Sequence, residues 1–175
     1  MNVALDLEFS VSDASTPDDE DVPGCPDEDM VRLWAQRAFL SAQDRSASVR
    51  VVSEAEMQRL NLEWRGKDSS TNVLSFPMQF DADFDATVFG DEQSAPLGDI
   101  ALCASVINRE AGEQGKLVDA HWAHMVVHGM LHLQGYDHIH DNDADDMEAQ
   151  EIQILQTLGY DNPYQNHANE KQEQK

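Results

Sequence analysis

Val3, Leu5, Leu7, Phe9 and Val11 alternate with polar residues, the period of a half-buried strand. The polar, Pro-containing stretch from Ser12 to Pro26 predicts a loop or insertion. From Asp27 to Gln43 the pattern changes to that of an amphipathic helix, with Met30, Leu33, Trp34, Ala38 and Phe39 on or near one face. A second strand is expected over Ser48 to Ser53. Ser53 and Glu56 then have the Ser-x-x-Glu spacing of a capping box, opening a short helix through Met57 and Leu60. Trp64 to Asn72 reads as a polar loop feeding a strand from Val73 to Phe76, which Pro77 ends. Asp81 to Pro96 is expected to be a further loop, Gly98 to Cys103 a strand and Ala104 to Gly115 a helix. Asp119 is placed to cap a helix from Ala120 to about Gln134. A last helix is expected from about Asp143 to Leu158, stopped by Gly159. Strands and helices mix without strict alternation, so the fold class is α+β, with one domain over residues 1–160 and a frayed tail over 161–175.

Composition narrows the class. A chain of 175 residues suits one domain with a sizeable core. No apolar run approaches the length of a membrane span, and the first ten residues lack the basic lead and apolar centre of a secretory signal. A cytoplasmic location is therefore expected. The two cysteines, Cys25 and Cys103, sit in unrelated contexts and make neither a disulfide framework nor a metal site. Net charge is −23, with acid concentrated in Asp13 to Asp29, Asp81 to Glu92 and Asp141 to Glu151. That balance counts against non-specific nucleic-acid binding, which depends on neutralising phosphates. Arg50, Arg59, Arg65, Lys67, Arg109 and Lys116 lie between the acidic blocks and leave room for a local basic surface.

The histidines carry the chemistry. Five of the seven fall between His121 and His138. His128 and His132 are four apart, so on a helix their imidazoles share one face. Gly135 lets the chain leave the helix, and His138 follows three residues later, able to supply a third imidazole. Three neutral nitrogens leave one tetrahedral position of a zinc ion open to solvent, the pattern of a catalytic site. Nickel, copper or iron also suit three imidazoles. A closed structural site would need a fourth ligand, for which Asp137 and Asp141 are the candidates. His124 lies eight residues from His132, roughly 12 Å along a helix axis, too far to share an ion with it. It is read as a packed or hydrogen-bonded neighbour, as are His121, His140 and His167.

The spacing His128-x-x-x-His132-x-x-Gly135-x-x-His138 is also that of metzincin proteases, whose general base is a glutamate following the first histidine. Gly129 occupies that position and cannot move a proton. A peptidase would need a base from elsewhere, such as Glu148 or Glu151, both expected to lie on a solvated helix face. A phosphodiester substrate would instead call for a cation near the metal, and Arg65 and Lys67 are the candidates.

At this point the residues resemble a known family. His128-Gly-Met-Leu-His132-Leu-Gln-Gly135-Tyr-Asp-His138 is similar to the signature of the YbeY family of bacterial rRNA-maturation endoribonucleases. Arg65-Gly-Lys-Asp-Ser-Ser-Thr-Asn-Val-Leu-Ser-Phe-Pro77 resembles its second motif, and Leu97-Gly-Asp-Ile100 a third. The likeness spans roughly Val49 to Tyr164. It implies a small mixed sheet flanked by helices, with the metal site at one end of a central helix. It further implies a zinc-dependent endoribonuclease specific for single-stranded RNA, acting in 3′-end maturation of small-subunit ribosomal RNA and in ribosome quality control. His128, His132 and His138 would hold one Zn²⁺, and Arg65 would be the basic residue of the pocket. Asn72 stands where many members have Asp, a change not expected to alter the chemistry. The general acid is open among Asp137, His124 and His140. The acidic N-terminal segment has no counterpart in the resemblance, so docking to the ribosome or to a protein partner is expected to supply part of the affinity. A metallopeptidase-like hydrolase and a non-catalytic ribosome-assembly factor are the alternatives.

Overall fold

The computed structural model of the chain describes residues 4–12, 24–79, 88, 95–137 and 140–165. Most of the acidic insertion (13–23), most of the 81–96 loop, His138, His167 and the end of the tail lie outside the described residues. The described elements are β1 (Leu5–Ser12), α1 (Glu28–Ala38), β2 (Arg45–Val52), α2 (Glu54–Arg65), β3 (Val73–Pro77), β4 (Gly98–Cys103), α3 (Ala104–Glu113), α4 (Val118–Leu133) and α5 (Asp141–Thr157). Four strands form one mixed sheet in the order β1-β2-β4-β3, with β1, β2 and β4 parallel and β3 antiparallel at an edge. The α+β class expected from the sequence holds. Among the described residues no helix is long and apolar enough to cross a membrane.

Side-chain alternation along the strands divides the sheet into two unequal faces. Leu7, Val49, Val51, Val73, Ile100 and Leu102 point into the main core, where they meet Val31 and Trp34 of α1 and Trp122, Val126 and Met130 of α4. The intervening residues Val52, Leu74, Ala101 and Cys103 point the other way, against Met57 and Leu60 of α2 and Val106 of α3. That second face is only partly roofed. β3 carries Pro77 at the edge of the sheet, where a missing N–H costs no ladder bond.

Helix ends differ from the sequence reading for local reasons. Asp27 does cap α1, accepting from the Met30 N–H, but α1 stops at Ala38, short of Gln43. The Gln134 side chain ends it, accepting the Leu40 N–H at 2.7 Å and donating to the Ala38 carbonyl at 2.8 Å. Ser53 accepts from Glu56 N–H as expected, yet the Glu56 carboxylate turns to Arg59, so only half of the capping box is made. Trp64 and Arg65 form the last turn of α2 and are not loop residues; the helix closes on Gly66 in the left-handed conformation (φ 67°). Asp119 lies inside the first turn of α4, whose N-cap is Leu117 with no side-chain cap. The segment expected to fray is described through Gln165, where Tyr164 reaches back into the fold.

Candidate metal centre

α4 has a buried residue at almost every position from His121 to Leu133, and His128 and His132 are the two that stay half-open. One helical turn apart, their rings stand 4.5 Å between centroids and nearly perpendicular, with the two Nε2 atoms 3.0 Å from each other. Two ligands of a tetrahedral zinc lie roughly 3.3 Å apart, given metal–nitrogen bonds of about 2.0–2.1 Å. The pair therefore converges at close to the separation a shared cation requires.

The other nitrogen of His128 is held from α5. Met147, Glu151, Ile154 and Leu155 make that helix's buried stripe, so Glu151 occupies a core position and is 1% exposed. Its Oε1 lies 2.5 Å from His128 Nδ1. The Tyr164 hydroxyl donates to its Oε2, and His124 Nε2 approaches the same oxygen at 3.4 Å. Burial alone would push the Glu151 carboxyl up. The hydrogen bonds from His124 and His128 outweigh it and hold the group well below the usual carboxylate range. Tyr164 is pushed up by burial and by its bond to this carboxylate, so its hydroxyl stays protonated as a donor. An ionised carboxylate only accepts, so His128 Nδ1 is the donor of this bond, which leaves Nε2 as the nitrogen a cation could use.

Among the described residues His124, His128 and Glu151 also form a group that could hold a metal ion, their ligand atoms lying within 4.8 Å of one another. The metal's identity is not fixed by these atoms. Two positions compete for it: the inner group, through His128 Nδ1, and the outer pair, through the Nε2 atoms. The 2.5 Å contact between Nδ1 and Oε1 is that of a charged hydrogen bond and is shorter than the separation of two ligands on one tetrahedral ion. The inner group thus has the geometry of a support for His128, and the outer pair that of a donor set.

The sequence reading of Glu151 as a solvated residue is wrong, while Glu148 is exposed as expected. A signal was present: Glu151 falls on the apolar stripe of its helix, four after Met147 and three before Ile154. Tyr164 had no such signal. Gly129 faces the sheet. A Cβ built there meets Ile100 Cδ1 at 3.0 Å, Ile100 Cγ2 at 3.1 Å and Ser75 Oγ at 3.3 Å, so α4 has no room for a glutamate at this point. Asp137 is half-buried and His140 is an exposed N-cap residue of α5; His138 lies outside the described residues.

Arg65 is exposed and lines a groove of about 910 Å³ with Arg50, Trp64, Ser75, Phe76 and Asp99, on the sheet face that α2 partly covers. His128 and His132 rise from α4 on the other face. The edge strand β3 joins the two: Ser75 lines the groove, and its Oγ donates to the Gly129 carbonyl at 3.3 Å.

The solution structure of TM1509 from Thermotoga maritima is similar to this fold, with a TM-score of 0.55 over 87% of this chain and 88% of that one, at 21% identity. The sequence pattern of the family described as Endoribonuclease YbeY matches residues 27–159, from the cap of α1 to the glycine that follows α5. That span takes in every described residue of the histidine cluster except Tyr164, together with Arg65 and the groove residues of β2, β3 and β4, and on it the chain belongs to the YbeY endoribonuclease family.

Proposed function

We propose that this chain is a zinc-dependent endoribonuclease specific for single-stranded RNA, acting in 3′-end maturation of small-subunit ribosomal RNA and in ribosome quality control. The observation that carries the reading is the meeting of His128 and His132 through Nε2 while Glu151 occupies Nδ1 of His128. With His138, these two rings would hold the ion. Bound there, it would stabilise the charge that builds on a phosphodiester during cleavage. Glu151 fixes the His128 tautomer. Arg65 supplies a cation for the scissile phosphate, reached by a strand that crosses β3 at Ser75. Among the described residues Arg65 makes no ion pair, so its charge is not already spent.

The peptidase alternative loses support. Glu151 is committed to His128 and Tyr164, Glu148 is exposed, and Gly129 is closed to any larger residue. A single-stranded RNA oligonucleotide and its duplex, incubated with protein purified without a histidine tag, test the proposal. Cleavage of the single strand alone is expected, stopped by a chelator and restored by zinc. The Arg65→Glu variant should lose nearly all cleavage and keep its metal. Full activity in that variant would remove Arg65 from the mechanism, and a His132→Ala protein that fully rescues a deletion strain would favour a non-catalytic assembly role. End groups separate the nucleophiles, since a cyclic phosphate requires attack by the 2′-hydroxyl.

A further inference from the structure

The groove that holds Arg65 carries an aromatic residue with no assigned task. Trp64 is 64% exposed, whereas the other two tryptophans, Trp34 and Trp122, are 1% and 0% exposed. Tryptophan is highly buried on average, and this open indole shares its groove with a second exposed apolar side chain instead of standing alone. It is also held in place. It projects from the last turn of α2, and Phe76 of β3 packs against it with ring centroids 5.7 Å apart and planes at 65°. The exposed Met78 lines the same end of the groove.

Charge alternates across this groove in the strand order β1-β2-β4-β3. Glu8 of β1 stands at one end, Arg50 of β2 follows with its guanidinium 3.6 Å from Glu56, and Asp99 of β4, which accepts from Ser48 Oγ, sits opposite Phe76 of β3. Trp64 and Arg65 stand at the β3 end. Among the described residues Arg65 makes no ion pair, whereas Arg50 faces Glu56, so a polyanion is drawn to the end where Arg65 adjoins an open aromatic face.

Resting on the endoribonuclease reading, we infer that Trp64 is a stacking platform for one base of the single-stranded substrate. The base lies against the indole, the adjoining phosphate faces Arg65, and the strand continues over β3 toward His128 and His132. The stacking is indifferent to base identity, because every base has a π face, and it excludes duplex, whose bases are already stacked.

The burial of Trp34 and Trp122 makes Trp64 the tryptophan that reports to solvent. The holoenzyme is titrated with a single-stranded RNA octamer carrying 2′-O-methyl groups, with the same octamer lacking its bases, and with the duplex, while tryptophan emission and its quenching by acrylamide are read. The octamer should change the emission and shield it from acrylamide; the base-free strand and the duplex should do neither. Trp64→Ala should weaken octamer binding roughly 5- to 150-fold, the range of one lost base–aromatic stack, and raise KM far more than it lowers kcat. Trp64→Phe should recover most of the loss. If wild-type protein cleaves RNA while Trp64→Ala binds the octamer as tightly as wild type, the platform is refuted and the endoribonuclease reading stands. If wild-type protein neither binds nor cleaves single strands, both are overturned.

Discussion

Replacing Glu151 with glutamine changes one atom of a side chain that is 1% exposed, and the site around it amplifies the change. The carboxylate receives His128 Nδ1–H at 2.5 Å and the Tyr164 hydroxyl, with His124 Nε2 at 3.4 Å. An amide can still accept from one of these donors, but its NH₂ group then confronts another donor. A hydrogen bond to a charged partner contributes about 1.5–3 kcal/mol, and removing the outer partner of a metal-binding histidine commonly weakens metal affinity about 10- to 100-fold. The two ranges agree, since a 100-fold change corresponds to about 2.7 kcal/mol. We therefore expect Glu151→Gln to bind zinc about 10- to 100-fold more weakly than wild type in a chelator competition. Tyr164→Phe removes one of the three donors and should give a smaller loss in the same direction. Zinc affinity within twofold of wild type in Glu151→Gln would show that this carboxylate does not orient His128, and the reasoning that assigns Nε2 to the metal would fall with it.

Three other outcomes follow from the packing. Gly129→Ala should destabilise the apo protein by about 1–2 kcal/mol in urea denaturation, because overpacking against Ile100 and Ser75 exceeds the gain in helix propensity of up to about 1 kcal/mol; equal or higher stability would refute the close approach. Asn72 donates through Nδ2 to both oxygens of Glu110 at 3.1 and 3.3 Å, so Asn72→Asp should cost about 1.5–3 kcal/mol at pH 7 and less once the carboxylates are protonated; an unchanged denaturation midpoint would contradict it. Burial lowers the His121 pKa below its ordinary 6.5 despite the opposing bond to Glu110, and a proton on its buried, unpartnered Nδ1 would find no acceptor. The folded state thus disfavours the charged ring. Its contribution to stability is complete above pH 6.5 and is lost as pH falls toward the folded-state value. Apo-protein stability should drop between pH 7 and pH 5.5, and drop less in His121→Gln; an equal drop in both would exclude His121 as the cause.

The fold was legible wherever local pattern and packing agree. The alternation in β1, the switch to helical spacing after Asp27 and the one-turn spacing of His128 and His132 each state a periodicity that the tertiary structure keeps. Boundaries were lost where a distant side chain decides them. Gln134 ends α1 from across the main core, and nothing near Ala38 announces it. The polar residues that follow Trp64 and Arg65 suggest a loop, while the chain stays helical until Gly66 can turn left-handed. Gly129 was legible as a missing base; the reason it must be glycine lies in Ile100 and Ser75, which the sheet brings beneath it. The acid at a core position of α5 was visible, but its meaning required knowing that α5 packs beside His128. The spacing of histidines on α4 suggests a donor set without showing what holds the rings, and that support comes from α5 and the segment after it.

The position of the ion decides between the two donor arrangements. Crystals grown with zinc and measured at its absorption edge should give one anomalous peak about 2.0–2.1 Å from Nε2 of both His128 and His132, with Glu151 still bonded to Nδ1. A peak on His128 Nδ1 between His124 and Glu151, or no ordered peak beside α4, would contradict the account.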